Sequence, residues 1–177
     1  SVVTALANSN LQFVSNWSNG TFSGGNIFIT DVESELNWFN LTAIGKDKDG
    51  QDTSNDFTEI DSTLQMTSYE DSISSTYSDP TLINYTFNGY TANYVPSVTS
   101  ISGEPFYTGI LWDNSDDMGD GEFDSTDKED LVFITEVNAD SSCLNGICDF
   151  EINIPAPLRE YKTNQDSQQV YIYYDLT

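Results

Sequence analysis

Every apolar run in this chain is short, rich in β-branched and aromatic side chains, and soon cut off by Gly, Asn, Asp, Ser or Pro. Asn26-Ile27-Phe28-Ile29-Thr30, Leu36 to Ile44, Leu82 to Phe87, Tyr90 to Val95, Tyr107 to Trp112, Leu131 to Val137, Phe150 to Ile154 and Val170 to Tyr174 all fit this description. Such runs suit a pleated, half-buried surface and leave no room for long amphipathic helices. Alternation on both sides of Asn88-Gly89 adds a hairpin signal. The spacing predicts an all-β fold, an antiparallel β-sandwich of the Ig-like or jelly-roll-like kind. Residues from Thr53 to Pro80 are rich in Ser, Thr and Asp and are expected to form long loops, with strand-like patches at Phe57-Thr58-Glu59-Ile60 and Ser62 to Met66.

A chain of 177 residues can bury a core of its own. One domain is expected over 21–177, preceded by an apolar arm over 1–20. In that arm Val3, Leu6, Leu11, Phe13 and Val14 fit helical and strand spacing equally well. The arm is expected to pack against a neighbouring subunit or to fill its own core, and the pattern leaves both open. The sequence shows no signal peptide and no membrane-length apolar run, as expected of a mature product or a trimmed soluble part.

Asp and Glu number 29 against 5 Lys and Arg, a net charge of −24. That repels nucleic acid and anionic lipid, and it opposes compaction unless salt or bound cations screen it. Much of the acidity falls between 113 and 130, where the predicted strand ending at Trp112 gives way to one beginning near Leu131. Crowded carboxylates with little basic company suit a hard cation, and Ca2+ is the expected cofactor.

Read from Asp116, the segment follows a twelve-residue calcium pattern at several points. Asp116 is first, Asp120 and Gly121 are fifth and sixth, the Glu122 carbonyl is seventh, Phe123 is eighth, Asp124 is ninth and Asp127 is last. Met118 breaks the third position. Read from Asp113, Ser115 and Asp117 fill the third and fifth positions, but Met118 displaces the turn glycine. A longer site borrowing from both registers is expected, with Asp113, Asp116, Asp117, Asp120, Glu122, Asp124 and Asp127 as candidate ligands. The competing expectation is a solvated acidic turn.

Cys143 and Cys148 flank Asn145-Gly146, which predicts a hairpin clipped by a disulfide and placed in an oxidising compartment. So small a loop gives roughly 2 kcal/mol in the chain-entropy picture. Asn16, Asn19, Asn40 and Asn84 each begin an Asn-x-Ser/Thr acceptor, pointing to an exported glycoprotein.

The chain has no histidine, which removes Ser-His-Asp and Cys-His machinery and histidine-ligated metals. A two-carboxylate glycosidase survives as the enzyme alternative, with Glu104, Glu122, Glu136 and Glu151 available but nothing in the sequence pairing them. The chain is therefore expected not to be an enzyme. Trp17, Trp38 and Trp112 either stack on sugars or fill the core.

Through Ile110-Leu111-Trp112-Asp113, Gly119-Asp120-Gly121-Glu122-Phe123, Ser125-Thr126-Asp127-Lys128 and Leu131-Val132-Phe133-Ile134, the chain resembles the outer domain of archaellins and related archaeal type IV pilin-like filament subunits. The resemblance implies an extracellular β-sandwich, often glycosylated and sometimes cation-binding, carried on a hydrophobic N-terminal helix. Ser1 to Val14 would be that helix's remnant or an arm adding a strand to a neighbour. The Cys143/Cys148 pair departs from the usual archaellin pattern. The leading expectation is a non-catalytic, calcium-stabilised subunit of a surface filament or surface layer, partnered by copies of itself or neighbouring surface proteins. The alternative is a secreted, calcium-dependent glycan-binding module.

Overall fold

A computed structural model describes residues 24–30, 36–44, 56–63, 66–100, 106–115, 130–138, 141–143, 146–155 and 170–177. In chain order they form β1 (Gly25–Thr30), β2 (Leu41–Ala43), α1 (Asp56–Thr63), α2 (Ile73–Thr76), β3 (Thr81–Phe87), β4 (Tyr90–Thr99), β5 (Tyr107–Asp113), β6 (Asp130–Glu136), β7 (Ser141–Cys143), β8 (Gly146–Cys148) and β9 (Tyr171–Leu176). The fold is all-β and antiparallel. Seven strands make one sheet in the order β3-β4-β5-β6-β1-β9, with β2 also on β5, and β7-β8 is a separate hairpin. No helix among the described residues is long and apolar enough to cross a membrane.

β5 is the organising strand. One edge pairs with β6 from Thr108 to Asp113, while the other is shared: β4 takes Tyr107 to Gly109 and β2 takes Leu111 to Asp113. With β4 engaging only at its far end, the rest of the β3–β4 hairpin is free to swing over the sheet. Phe28 of β1 and Phe87 of β3 are four strand steps apart, roughly 19 Å in a flat sheet, yet their ring centroids lie 5.1 Å apart. The sheet therefore doubles over on itself. Asn26 Nδ2 donates to the Thr86 carbonyl at 2.8 Å, and the Asn88 N–H donates to Asp175 Oδ2 at 2.8 Å, tying the hairpin tip to β1 and β9. The inner layer holds Phe28, Leu41, Tyr85, Phe87, Val95, Leu111, Val132 and Ile134.

The hairpin turns where expected, with Asn88 and Gly89 at φ 47° and 76°, the signs a two-residue type I′ turn needs. Strict alternation along β4 would put Tyr94 on the same face as Tyr90 and Ala92. Instead the register shifts so that Asn93 and Tyr94 together oppose Asn84. This bulge turns Val95 inward, fully buried, and leaves Tyr94 59% exposed at φ 57°. A left-handed non-glycine residue costs about 1 kcal/mol. Here the Tyr94 N–H recovers a bond to Asn84 Oδ1 at 2.8 Å.

The opposite face of β5 and β6 packs Ile110, Trp112 and Phe133 against Ile60 of α1, Ile73 of α2 and Tyr77. The strand-like reading of Phe57 to Ile60 is corrected: this is a helix, whose i, i+3 spacing points Phe57 and Ile60 at the same cluster. Asp61 follows on that side, 1% exposed. Its Oδ1 accepts from the Ile73 N–H at 2.6 Å, and its Oδ2 accepts from the Ser74 N–H at 3.1 Å and from the Ser74 hydroxyl.

Two further strand expectations are corrected. Only Leu41–Ala43 of the 36–44 run joins the sheet, because Asn37 turns the chain first: its carbonyl accepts the Asn40 N–H and its Oδ1 accepts the Phe39 N–H. The run from Phe150 to Ile154 joins no ladder. It crosses the paired threonines of β5 and β6, where Thr135 Oγ1 and Ser100 Oγ both donate to the Glu151 carbonyl, and the Asn153 N–H donates to Thr108 Oγ1 at 2.7 Å. Side chains replace a neighbouring strand there.

Burial raises the Tyr77 and Tyr85 phenols well above the ordinary tyrosine range. Both stay protonated in the fold, donating or sharing hydrogens with the Thr108 carbonyl and Ser97 Oγ respectively. Their contribution to stability is whole below about pH 10, where unfolded tyrosine ionises, and is withdrawn as pH rises beyond it.

Candidate functional site

A cleft of about 420 Å³ opens where the hairpin tip meets β9. Phe28 and Phe87, each 2% exposed, form its floor, and Trp38 and Tyr173 stand edge to face at 5.2 Å as one wall. Trp38 also meets Phe28 edge to face at 5.0 Å. Ile172 and Tyr174 continue the lining along β9, Tyr174 being 62% exposed, and Asn88 and Asp175 supply the polar rim. The Asn88 N–H bond fixes the Asp175 carboxylate at that rim. The cleft is open to solvent, and its lining mixes rings with a few placed polar groups.

The sequence singles out Trp38 but not its partners. Tyr173, Tyr174 and Asp175 read only as a closing strand, and Asn88 only as a turn. Bringing residue 28 beside 38, 87 and 173 requires the doubled sheet, which no local pattern announces. Of the other tryptophans, Trp112 is fully buried core and Trp17 lies outside the described residues.

Among the expected cation ligands the structure describes Asp113 alone. Asp116, Asp117, Asp120, Glu122, Asp124 and Asp127 lie outside the described residues. Asp113 is fully buried at the end of β5 and already has structural work. Its Oδ2 accepts the Asn37 N–H at 2.5 Å, and its Oδ1 accepts the Ser115 N–H at 3.0 Å and the Ser115 hydroxyl at 2.7 Å. It anchors the turn that delivers Trp38 to the cleft. Opposite it in the ladder stands Asp130, so two aspartates face each other at the base of the acidic segment. No cluster of three metal-ligating side chains forms among the described residues.

The other nominated residues scatter. Glu136 is exposed on β6, and Glu151 acts through its carbonyl, while Glu104 and Glu122 lie outside the described residues. Asn84 is exposed on β3 and Asn40 is half-buried, while Asn16 and Asn19 lie outside the described residues. The β7–β8 backbone places Cys143 opposite Gly146 and Cys148 opposite Ser141, so the predicted hairpin is present. The pairing of the two thiols lies outside what is described.

No family model matches this chain, and neither the curated proteins nor the solved structures searched contain a match to it.

Proposed function

We propose that this chain is a non-catalytic extracellular β-domain whose aromatic cleft binds a neutral carbohydrate. The observation that carries it is the cleft itself, where Trp38 and Tyr173 present ring surface beside the Asp175 carboxylate. The C–H faces of a pyranose stack on such rings while its hydroxyls donate to a carboxylate. With a net charge of −24, the chain favours a neutral sugar over an acidic one. Binding of neutral oligosaccharides, followed by calorimetry or on an array, should weaken at least tenfold in Trp38→Ala, the loss typical of a stacking anchor. Tyr174→Ala should lose less, since that ring stands mostly in solvent. Binding that is absent in the native chain, or unchanged in Trp38→Ala, would remove this reading.

A second reading, a calcium-stabilised subunit of a surface filament or layer, is favoured by a separate feature. Asp113 and Asp130 face each other across β5 and β6 at the root of the acidic segment, and carboxylates gathered at the base of so acidic a loop suit a hard cation. Calcium should then raise the melting temperature by several degrees over chelator at equal ionic strength, by mass action. Asp120→Ala should abolish that increment. Asp113→Asn should lower stability with and without calcium, because Asp113 anchors the Asn37 turn. Coincident melts with and without calcium would leave ionic screening as the whole effect. The two readings are compatible, since a surface subunit can carry a sugar cleft.

The same extracellular reading proposes that Cys143 and Cys148 are joined. Intact mass should rise on alkylation only after reduction, and alkylation of the unreduced, denatured chain would refute the bond.

A further inference from the structure

We infer that Asn84 is an N-glycosylation site and that the ring of Tyr94 is the platform on which its first sugar rests. The inference rests on the extracellular reading of the chain and is independent of the cleft. Asn84-Tyr85-Thr86 lies on β3, at the end of the sheet order, with Asn84 on the outward face. On the same face Leu82 is 54% exposed and, across the bulge, Tyr94 is 59% exposed. Two large apolar side chains thus flank one exposed amide.

The bond between them leaves the reactive atom available. Asn84 uses its oxygen, Oδ1, to accept the Tyr94 N–H at 2.8 Å, which turns Nδ2 away from the bulge. Glycosylation takes place at Nδ2. The amide nitrogen displaces the diphosphate of a lipid-carried sugar: the C1–N bond forms as the C1–O bond to phosphate breaks, the amide releases one proton, and the lipid diphosphate departs. Oδ1 keeps its lone pairs, so the bond to Tyr94 survives modification. The acceptor threonine, Thr86, is also on the outward face, sharing a hydrogen with Thr91 Oγ1 at 3.0 Å.

Asn40 offers a contrast. It is half-buried, its carbonyl accepts from the Asn114 N–H and from Thr42 Oγ1, and Thr42 Oγ1 accepts from Asn114 Nδ2 at 3.0 Å. The acceptor threonine there, Thr42, is half-buried, whereas Thr86 is exposed.

The bulge itself also needs an account. Glycine or asparagine tolerates φ 57° best, yet the chain places an exposed tyrosine there. The Tyr94 N–H bond to the Asn84 side chain places this exposed tyrosine next to the sequon, and an aromatic ring there offers a face that a sugar's C–H surface can cover.

The test starts with glycopeptide mapping of protein isolated from its natural source, where Asn84 is expected to be occupied in most molecules. A bare Asn84 beside occupied sequons elsewhere overturns this proposal alone. A chain bare at every sequon overturns it together with the expectation of a glycoprotein. For the platform, the wild type, Tyr94→Phe and Tyr94→Gly are expressed in a host that glycosylates this sequon. Tyr94→Gly relieves the left-handed backbone and so preserves the fold. Proton NMR should show the first sugar's ring protons shifted upfield in the wild type and in Tyr94→Phe, with the shift gone in Tyr94→Gly. Enzymatic removal of the glycan should lower the melting temperature by a few degrees in the first two and leave Tyr94→Gly unmoved. Sugar protons that resonate alike in all three proteins overturn the role of Tyr94.

Discussion

Replacing Gly109 by valine is expected to cost about 3 kcal/mol or more, at the upper end of overpacking effects, and to leave little folded protein at physiological temperature. Gly109 lies in the middle of β5, beneath the doubled-over hairpin. A Cβ built there sits 2.8 Å from Tyr85 Cε2, 2.9 Å from Val95 Cγ1 and 3.0 Å from Ile134 Cγ2. All three side chains are buried, at 1% exposure or less, and come from β3, β4 and β6. None can withdraw without opening the core. Gly109→Ala should already shift the denaturation midpoint, and the two further methyls of valine should add to it. Gly24→Ala is the control, since its Cβ meets nothing nearer than 3.8 Å. Equal stability of Gly109→Val and wild type would mean that the hairpin does not lie on β5.

Asp61→Ala is expected to cost about 3 kcal/mol. The carboxylate reaches from α1 to the start of α2 and receives the N–H groups of Ile73 and Ser74. Removing it strands two donors, one of them in a fully buried residue, at about 1–3 kcal/mol for each unsatisfied group. Asp61→Asn should cost less, since its amide oxygen can still accept one of the two. Amide exchange supplies the specific readout: Ile73 and Ser74 should exchange faster in Asp61→Ala while β5 and β6 amides follow the global stability. A variant as stable as wild type, with protection at Ile73 unchanged, would show that this carboxylate does not hold the two helices together.

The parts of this fold legible from sequence are those decided locally. Asn88-Gly89 states its own turn, and the Tyr107 to Trp112 and Leu131 to Val137 runs state the central strand pair. The parts that were not legible depend on a distant partner. Phe150 to Ile154 has strand composition, but whether it joins a ladder depends on Thr108 and Thr135, whose hydroxyls take the place of a neighbouring strand. Phe57 to Ile60 is too short for its period to separate helix from strand, and Asp61 explains the helix only once Ile73 is beside it. At Tyr94 one extra residue in β4 reverses which side chains face inward. The candidate site divides the same way. Trp38 is legible as a candidate ring and Asp113 reads as a cation ligand, yet in the fold Asp113 holds the turn that carries Trp38. Tyr173 and Asp175 became part of a site only through the doubling of the sheet.

The pairing of β1 with β9 carries a mechanical consequence. The Thr177 N–H donates to the Gly24 carbonyl at 3.1 Å, so the entry to β1 and the exit from β9 lie side by side at one end of an antiparallel pair. Tension applied between those two points does not load the β1–β9 bonds together in shear. It pulls on the nearest bond first and then on the next, as a zipper opens, because antiparallel ladder bonds run across the strands and therefore along such a pull. β9 would peel away while the layers around β5 remain packed. A strand lost this way takes Tyr173 and Asp175 with it, so the cleft would lose one wall under load before the domain unfolds.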